Sequence, residues 1–156
     1  MKYITLFTTL LVINSSSFSQ THNRFDSLLS GISGNSAEII NHQNAKTIMS
    51  YGVEALPTLA TIFADGTITT IYSNCHNRLL KKGEIAIILA DHIESIPYFS
   101  LIGLQNCMLE SCPDNPNFVE YYLDFMARRG MHKTFARDYA FWLRSAERKE
   151  RYRSRN

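Results

Sequence analysis

The clearest hydrophobic pattern lies between residues 82 and 95. Apolar side chains recur there every three or four residues, as on one face of an α-helix: Ile85, Ile88, Leu89, Ile93 and Ile96. Ile87 and Ala90 widen that face, so we expect this helix to be buried on more than one side. Pro97 then ends it, because proline lacks an amide hydrogen and disfavours helical geometry in the preceding residue. A second helical pattern over residues 98–112 follows at once, and the pair is expected to form the core.

Weaker helical patterns lie on both sides of this pair. The spacing of apolar residues predicts helices over residues 20–33, 36–49, 55–63, 118–129 and 133–150. Pro57 falls in the first turn of one of them, where its missing amide hydrogen costs nothing. The sequence therefore predicts an all-α fold, a compact array of about six helices packed as α/α hairpins. We expect a single helical domain over residues 20–150 and a basic C-terminal tail over residues 151–156.

Residues 58–73 allow two interpretations. Asp65-Gly66 lies between two β-branched runs, and this dipeptide is a strong signal for a β-hairpin. Polar and apolar residues alternate poorly before it, however, and only fairly after it. We favour a helix followed by a short extended segment near residues 67–75 that leads into Cys75.

The first nineteen residues are typical of a secretory signal peptide. Lys2 supplies the positive start, residues 4–13 are an apolar run, and residues 14–19 are small and polar apart from Phe18. We expect cleavage after Ser19 and export to the periplasm or the cell exterior. The run is shorter than the roughly 20 apolar residues that a membrane-spanning helix needs. No transmembrane segment is therefore expected in the mature chain.

Export changes the interpretation of the three cysteines, because thiols oxidise outside the cytosol. Three cysteines can form one disulfide and leave one free thiol. Cys107 and Cys112 lie five residues apart and point to different sides of a continuous helix. We therefore favour a bond between Cys75 and Cys107, which leaves the role of Cys112 open. The alternative is three unpaired cysteines that act as small hydrophobic residues.

Charge is unevenly distributed along the chain. Residues 128–156 carry ten Lys/Arg against three Asp/Glu, a net charge of +7, whereas residues 20–127 carry five against eleven, a net charge of −6. The C-terminal cations are candidates for binding an anionic envelope surface: Arg144, Arg148, Lys149, Arg151, Arg153 and Arg155. The alternative is a solvated helix end whose charge complements the helix dipole. The segment has no pattern for specific recognition of nucleic acid.

Candidate chemistry is sparse. His92 has neither histidine nor carboxylate three or four residues away, and the chain has no paired cysteines of the CxxC type, so no metal site or other cofactor is predicted. Glu84 and Asp91 share a helix face, but they lie roughly 10 Å apart along the axis, which is too far for a retaining glycosidase. The Gly-x-Ser-x-Gly motif of serine hydrolases is absent. No residue is assigned a catalytic role.

Two phrases resemble known proteins. The phrase EALPTL, with Ala55–Leu59 at its centre, resembles the opening of a helix in HEAT-type repeats, and Pro97 occupies the corresponding place in a later helix. Residues 82–112 resemble a phrase found in small exported bacterial proteins of the helical-repeat kind. These resemblances imply a helical fold and export, and they imply no activity. The chain lacks the several units of ~40 residues that a true repeat array would show.

These observations favour a non-enzymatic protein. The first hypothesis is an exported helical module that binds a protein partner, as periplasmic inhibitor and immunity-like proteins do. The second is an envelope surface binder that uses the basic C-terminal helix, and the third is a hydrolase of unknown type. Burial of Trp142 and Tyr139 against the body would favour the first over the second.

Overall fold

The computed structural model describes residues 20–104, 112 and 119–153. The predicted signal peptide, Cys107 and Arg155 lie outside these residues. The helices are α1 (20–30), α2 (Gln43–Met49), α3 (Leu56–Ile62), α4 (Lys82–Ile93), α5 (Tyr98–Ile102), α6 (Val119–Arg128), α7 (His132–Trp142) and α8 (Ala146–Arg153), with short 3-10 helices at Ser36–Asn41 and Gly52–Ala55. The strands are β1 (Ser33–Asn35), β2 (Ile68–Ser73) and β3 (Arg78–Lys81). None of the described helices is both long enough and apolar enough to span a membrane.

Helix α4 is the central element, as the sequence predicts. Every residue from Lys82 to Ala90 is buried, so the helix is enclosed on all sides along most of its length. α2, α3 and α6 all contact it. A helix that is apolar all round is buried in this way, because no face of it can be left in water.

A small mixed sheet packs beside the helices. Its strand order is β1-β2-β3, with β1 parallel to β2 and β2 antiparallel to β3. The inward side chains Ile71 and Leu80 are fully buried. The expected extended segment near residues 67–75 is therefore confirmed as β2, and helix α3 precedes it. The turn between β2 and β3 lies at residues 74–77, and Asp65-Gly66 only connects α3 to β2.

The predicted all-α fold is wrong. The chain is mostly helical, but the three-stranded sheet gives it mixed α and β content, and the expected array of α/α hairpins is interrupted by that sheet. Two pieces of β structure escape the helical interpretation. β1 lies between the helix predicted to end at residue 33 and the one predicted to begin at residue 36, and β3 directly precedes the first residue of α4.

The predicted helix boundaries hold only in part. α5 ends at Gly103, which adopts the left-handed conformation (φ 66°) and donates its amide hydrogen to Phe99 O. The rest of the helix predicted to reach Cys112 lies mainly outside the described residues. The last predicted helix, residues 133–150, is two helices, α7 and α8, separated by a turn at residues 143–145.

Aromatic side chains join the C-terminal helices to the core. Phe63, directly after α3, stacks on Tyr139 of α7 with ring centroids 5.1 Å apart, and Tyr139 stacks on Trp142 at 5.6 Å. Tyr98 of α5 lies against Tyr122 of α6 at 3.9 Å with nearly parallel rings. Stacked pairs of this kind contribute about 0.5–1.5 kcal/mol each beyond the area they bury. The described elements from α1 to α7 therefore contribute to one core.

Candidate binding surface

The outer face of the sheet exposes large apolar side chains. Ile68, Tyr72 and Leu79 are 58%, 39% and 42% exposed, whereas their neighbours Ile71 and Leu80 are fully buried. Tyr72 and Leu79 lie directly opposite each other in the antiparallel register. Side chains at such paired positions point to the same face. We call Ile68, Tyr72 and Leu79 the apolar sheet face.

An ion pair anchors the hairpin that carries this face. Glu84, in the first turn of α4, is fully buried and accepts two hydrogen bonds from Arg78, each of 2.8 Å, and one of 2.7 Å from the amide of Lys81. Burial alone would raise the pKa of Glu84, but these hydrogen bonds outweigh it and lower the pKa below its ordinary value of 4.5. The hairpin is therefore held to the start of the central helix by a bidentate contact.

A second polar contact holds the hairpin turn to α6. Ser73, fully buried at the end of β2, donates its hydroxyl hydrogen to the buried carboxylate of Glu120. The amide of His76 donates to Ser73 Oγ at 3.1 Å, and His76 Nε2 bonds the carbonyl oxygen of Glu120 at 2.8 Å. The types of residue are those of a serine hydrolase triad, but the hydroxyl is enclosed and bonds the carboxylate instead of the imidazole. The arrangement fastens two elements together.

A disulfide closes the same region. Cys75 in the hairpin turn bonds Cys112, with Cα atoms 5.6 Å apart. The partner of Cys75 thus differs from the predicted Cys107, which lies outside the described residues. The early end of α5 at Gly103 removes the continuous helix on which that prediction depended.

The basic C-terminal helices pack on the body. Tyr139 and Trp142 are buried in the core. Arg148 forms hydrogen bonds of 3.0, 3.2 and 2.7 Å to the carboxylate of Glu94, and another of 3.0 Å to the carbonyl oxygen of Leu143. Of the predicted surface-binding cations, Arg144 lies over the exposed ring of Phe141 at 5.4 Å. Arg151 reaches the carbonyl oxygen of Ser95 at 3.5 Å. Lys149 is exposed on α8.

The two acidic candidates of α4, Asp91 and Glu84, lie in separate environments. The Asp91 carboxylate accepts the amide hydrogen of Ile96 at 2.8 Å, which caps the chain where it leaves α4. Burial raises the pKa of this carboxyl above its ordinary value. Glu84 is held by Arg78 at the other end of the helix, so the two carboxyl groups do not form a pair. Within the described residues, no three His, Cys, Asp or Glu side chains come together as a metal site would require.

A cleft lies beside the start of α4, on the side of Glu84 that faces α7. Its volume is about 380 Å³, and its walls come from the connection after α3, the start of α4 and the turn between α6 and α7. The lining residues are Ala64, Asp65, Gly66, Lys81, Glu84, Gly130, His132 and Lys133. His132 Nε2 is buried and has no hydrogen-bond partner in the described structure. Burial lowers the pKa of His132 below 6.5, so its imidazole is neutral at pH 7.

Sequence reasoning did not identify several residues that organise this region. Lys82 is nearly buried and pairs with Asp26 of α1 at 2.8 Å and with Asp65 at 3.6 Å. Arg78 and Glu120 reach their partners only through the folded arrangement of the hairpin and α6. Glu84 alone carried a usable signal, because a glutamate in the first turn of a helix often accepts the amide hydrogen of the capping residue.

Comparison with known proteins adds no relative. No protein-family model, no curated protein and no solved structure matches the chain. The resemblance of EALPTL to HEAT-type repeats stays unconfirmed.

Proposed function

We propose that the protein is an exported, non-enzymatic module of the inhibitor or immunity-like kind that binds a partner protein through its apolar sheet face. The observation that carries the proposal is the exposed pair of Tyr72 and Leu79 on a rigid hairpin, beside exposed Ile68. Aromatic and apolar side chains that lie exposed on a rigid element are what the centre of a protein interface needs.

Rigidity supports this proposal. The hairpin is held by the Cys75–Cys112 bond, by Arg78 on Glu84 and by Ser73 on Glu120. A surface that is already ordered loses little conformational entropy when a partner binds, so more of the contact energy appears as affinity. The disulfide also fits an oxidising compartment, which is where the signal-peptide-like N-terminus would direct the chain.

The test replaces the two paired side chains with a polar residue that favours β structure. Wild-type protein and the double variant Tyr72→Thr/Leu79→Thr are immobilised and exposed to envelope extract of the source organism. The matched control is Phe99→Gln/Phe141→Gln, which removes two aromatic residues that are 59% and 61% exposed on helices. We expect one partner protein that binds saturably to wild type and control and not to the sheet variant. A partner retained by the sheet variant, or no partner at any salt concentration, contradicts the proposal.

A second candidate function is binding of an anionic envelope surface through the basic C-terminal helices. Exposed Phe141 beside Arg144 supports it, because an aromatic ring and a cation together favour a membrane interface. Packing of Tyr139 and Trp142, and the engagement of Arg148 by Glu94, favour the first candidate instead. Deletion of residues 149–156 would abolish salt-sensitive binding to anionic liposomes if the second candidate is correct. Binding that ignores salt contradicts it.

A further inference from the structure

The cleft between the start of α4 and the start of α7 is lined by two carboxylates, Asp65 and Glu84, and by two lysines, Lys81 and Lys133. Arg78 pairs with Glu84 at 2.8 Å, and Lys82 lies 3.6 Å from Asp65 but is shared with Asp26 of α1 at 2.8 Å. Hydrogen bonds from Thr67 and Lys82 outweigh the effect of burial and hold the pKa of Asp65 below its ordinary value, so that this carboxylate is ionised at neutral pH.

Two lysines of the cleft have no such match. Lys81 lines it from the end of β3 and Lys133 from the start of α7, and neither ammonium group has a carboxylate within 4.0 Å among the described residues. Like charges that line the same cleft repel each other. An anion in the cleft would relieve this repulsion.

Hydrogen-bond donors accompany the charge. His132 is neutral and is the first residue of α7, an eleven-residue helix whose preceding residue, Met131, provides no side-chain acceptor for the first amides. Both oxygens of Glu84 are occupied by Arg78 and by the Lys81 amide, so Glu84 does not compete for these donors. The buried Nε2 of His132 is a polar atom whose bonding capacity is unused by the described residues.

The cleft also has room. Its volume of about 380 Å³ lies within the range of small-molecule sites, roughly 300–1,000 Å³. Gly66 and Gly130 form part of the lining, and open space lies where a side chain would begin at either position. A ligand can therefore approach the backbone closely on two sides.

We propose that this cleft binds the phosphate group of a small soluble phosphate monoester or diphosphate, with Lys81 and Lys133 as the charged contacts. Two ammonium groups match the double negative charge of a phosphate group. A ligand with a single carboxylate would leave one ammonium group without a counter-charge. The site shares no residue with the apolar sheet face, although Lys81 lies opposite Ile68 in the strand register, so it adds a ligand to the proposed function without depending on it.

The first experiment locates the binding. Inorganic pyrophosphate is titrated into the full mature chain, and amide chemical shifts are followed by NMR. We expect saturable shifts at Gly66, Lys81 and residues 132–134. Shifts confined to residues 144–151, or no saturable shift at all, would overturn the proposal. Vesicles that contain an anionic phospholipid are the second arm. If the cleft binds a soluble ligand, pyrophosphate shifts the amide signals of these residues, whereas the vesicles leave them unchanged.

The second experiment tests whether the lysine charges and the open space of the cleft are needed for binding, in variants that remain folded. Lys81→Gln/Lys133→Gln is compared with Lys46→Gln/Lys149→Gln, which removes the same charge elsewhere on the surface. We expect the cleft variant to lose about tenfold or more in pyrophosphate affinity and the control to lose much less. Gly66→Leu adds a bulky side chain at a lining position that has open space, and it is expected to weaken binding strongly while the thermal midpoint stays near that of wild type. Equal losses in the two lysine variants, or full affinity in a folded Gly66→Leu protein, would contradict the site.

Discussion

Both carboxylate oxygens of Glu84 accept hydrogen bonds from the guanidinium of Arg78, and this contact crosses the junction between β3 and α4. Glu84→Gln would place an amide NH₂ group against the Arg78 donors and leave a partly buried cation without a counter-charge. We expect the free energy of unfolding to fall by about 3 kcal/mol, as when one partner of a buried pair is removed. Urea denaturation measures the loss. The control is Asp138→Asn, which removes an exposed partner of Arg137 and should cost less than about 1 kcal/mol.

Acid should destabilise the fold through Glu84. Its folded pKa lies below the ordinary value of 4.5, so the carboxylate contributes stability above pH 4.5, and this contribution is lost as pH falls through the folded pKa. Stability measured against pH in wild type and in Glu84→Gln should therefore converge in acid. Parallel curves below pH 4.5 would contradict a lowered pKa.

His132 should add a separate loss at milder pH. Burial lowers its folded pKa below 6.5, so the unfolded chain binds the proton first, and stability falls as pH decreases from about 6.5 towards the folded pKa. NMR titration of the His132 ring should show a midpoint below 6.5. His132→Gln should flatten the dependence of the unfolding free energy on pH between 7 and 5. The control is His22→Gln on α1, which should leave that dependence as in wild type.

Gly83 should tolerate no side chain. A Cβ atom at this position would lie 2.3 Å from the carbonyl oxygen of Phe63 and 3.0 Å from that of Asp65. Ala normally favours a helix over Gly by about 1 kcal/mol, so destabilisation of Gly83→Ala by several kcal/mol would show the clash directly. Gly66→Ala is the matched control, since nothing lies within 4 Å of its Cβ, and it should be neutral or slightly stabilising.

The Cys75–Cys112 bond closes a loop with a sequence separation of 37. For a loop of that length the chain-entropy model predicts a stabilisation of about 4 kcal/mol, so Cys75→Ser/Cys112→Ser should lower the unfolding free energy by up to that amount. Peptide mapping of the oxidised chain should recover a fragment that joins Cys75 to Cys112. A fragment that joins Cys75 to Cys107 would contradict the structure, and Cys107→Ser is the control that leaves the observed bond intact.

The helical part of the fold could be predicted because its signal is local. In α4, apolar residues repeat at helical spacing, and Pro57 and Pro97 mark a helix start and a helix end within a few residues. The break between α7 and α8 also has a local signal, which was missed. Ser145 Oγ accepts the amide hydrogen of Arg148 at 3.2 Å and so caps a new helix.

The sheet and the polar contacts could not be predicted in the same way. β1 has three residues, one of them Gly34, and it is a strand only because the backbone of β2 lies beside it. β3 contains Leu79 and Leu80 followed by Lys81, and Lys82 begins α4 directly, so no stretch of alternation distinguishes the strand from the helix. Contacts such as Ser73 with Glu120 join residues 47 apart, and no spacing rule relates such positions.

The parallel pairing of β1 with β2 has a kinetic consequence. Ser33 lies opposite Thr70, and all of α2 and α3 falls between them, whereas β2 and β3 are joined by a tight turn. Closing the longer connection costs more chain entropy, and this loss comes before any contact between the strands can compensate for it. We therefore expect the hairpin to form before β1 docks in refolding. Substitutions in β1 should then accelerate unfolding and leave the refolding rate nearly unchanged.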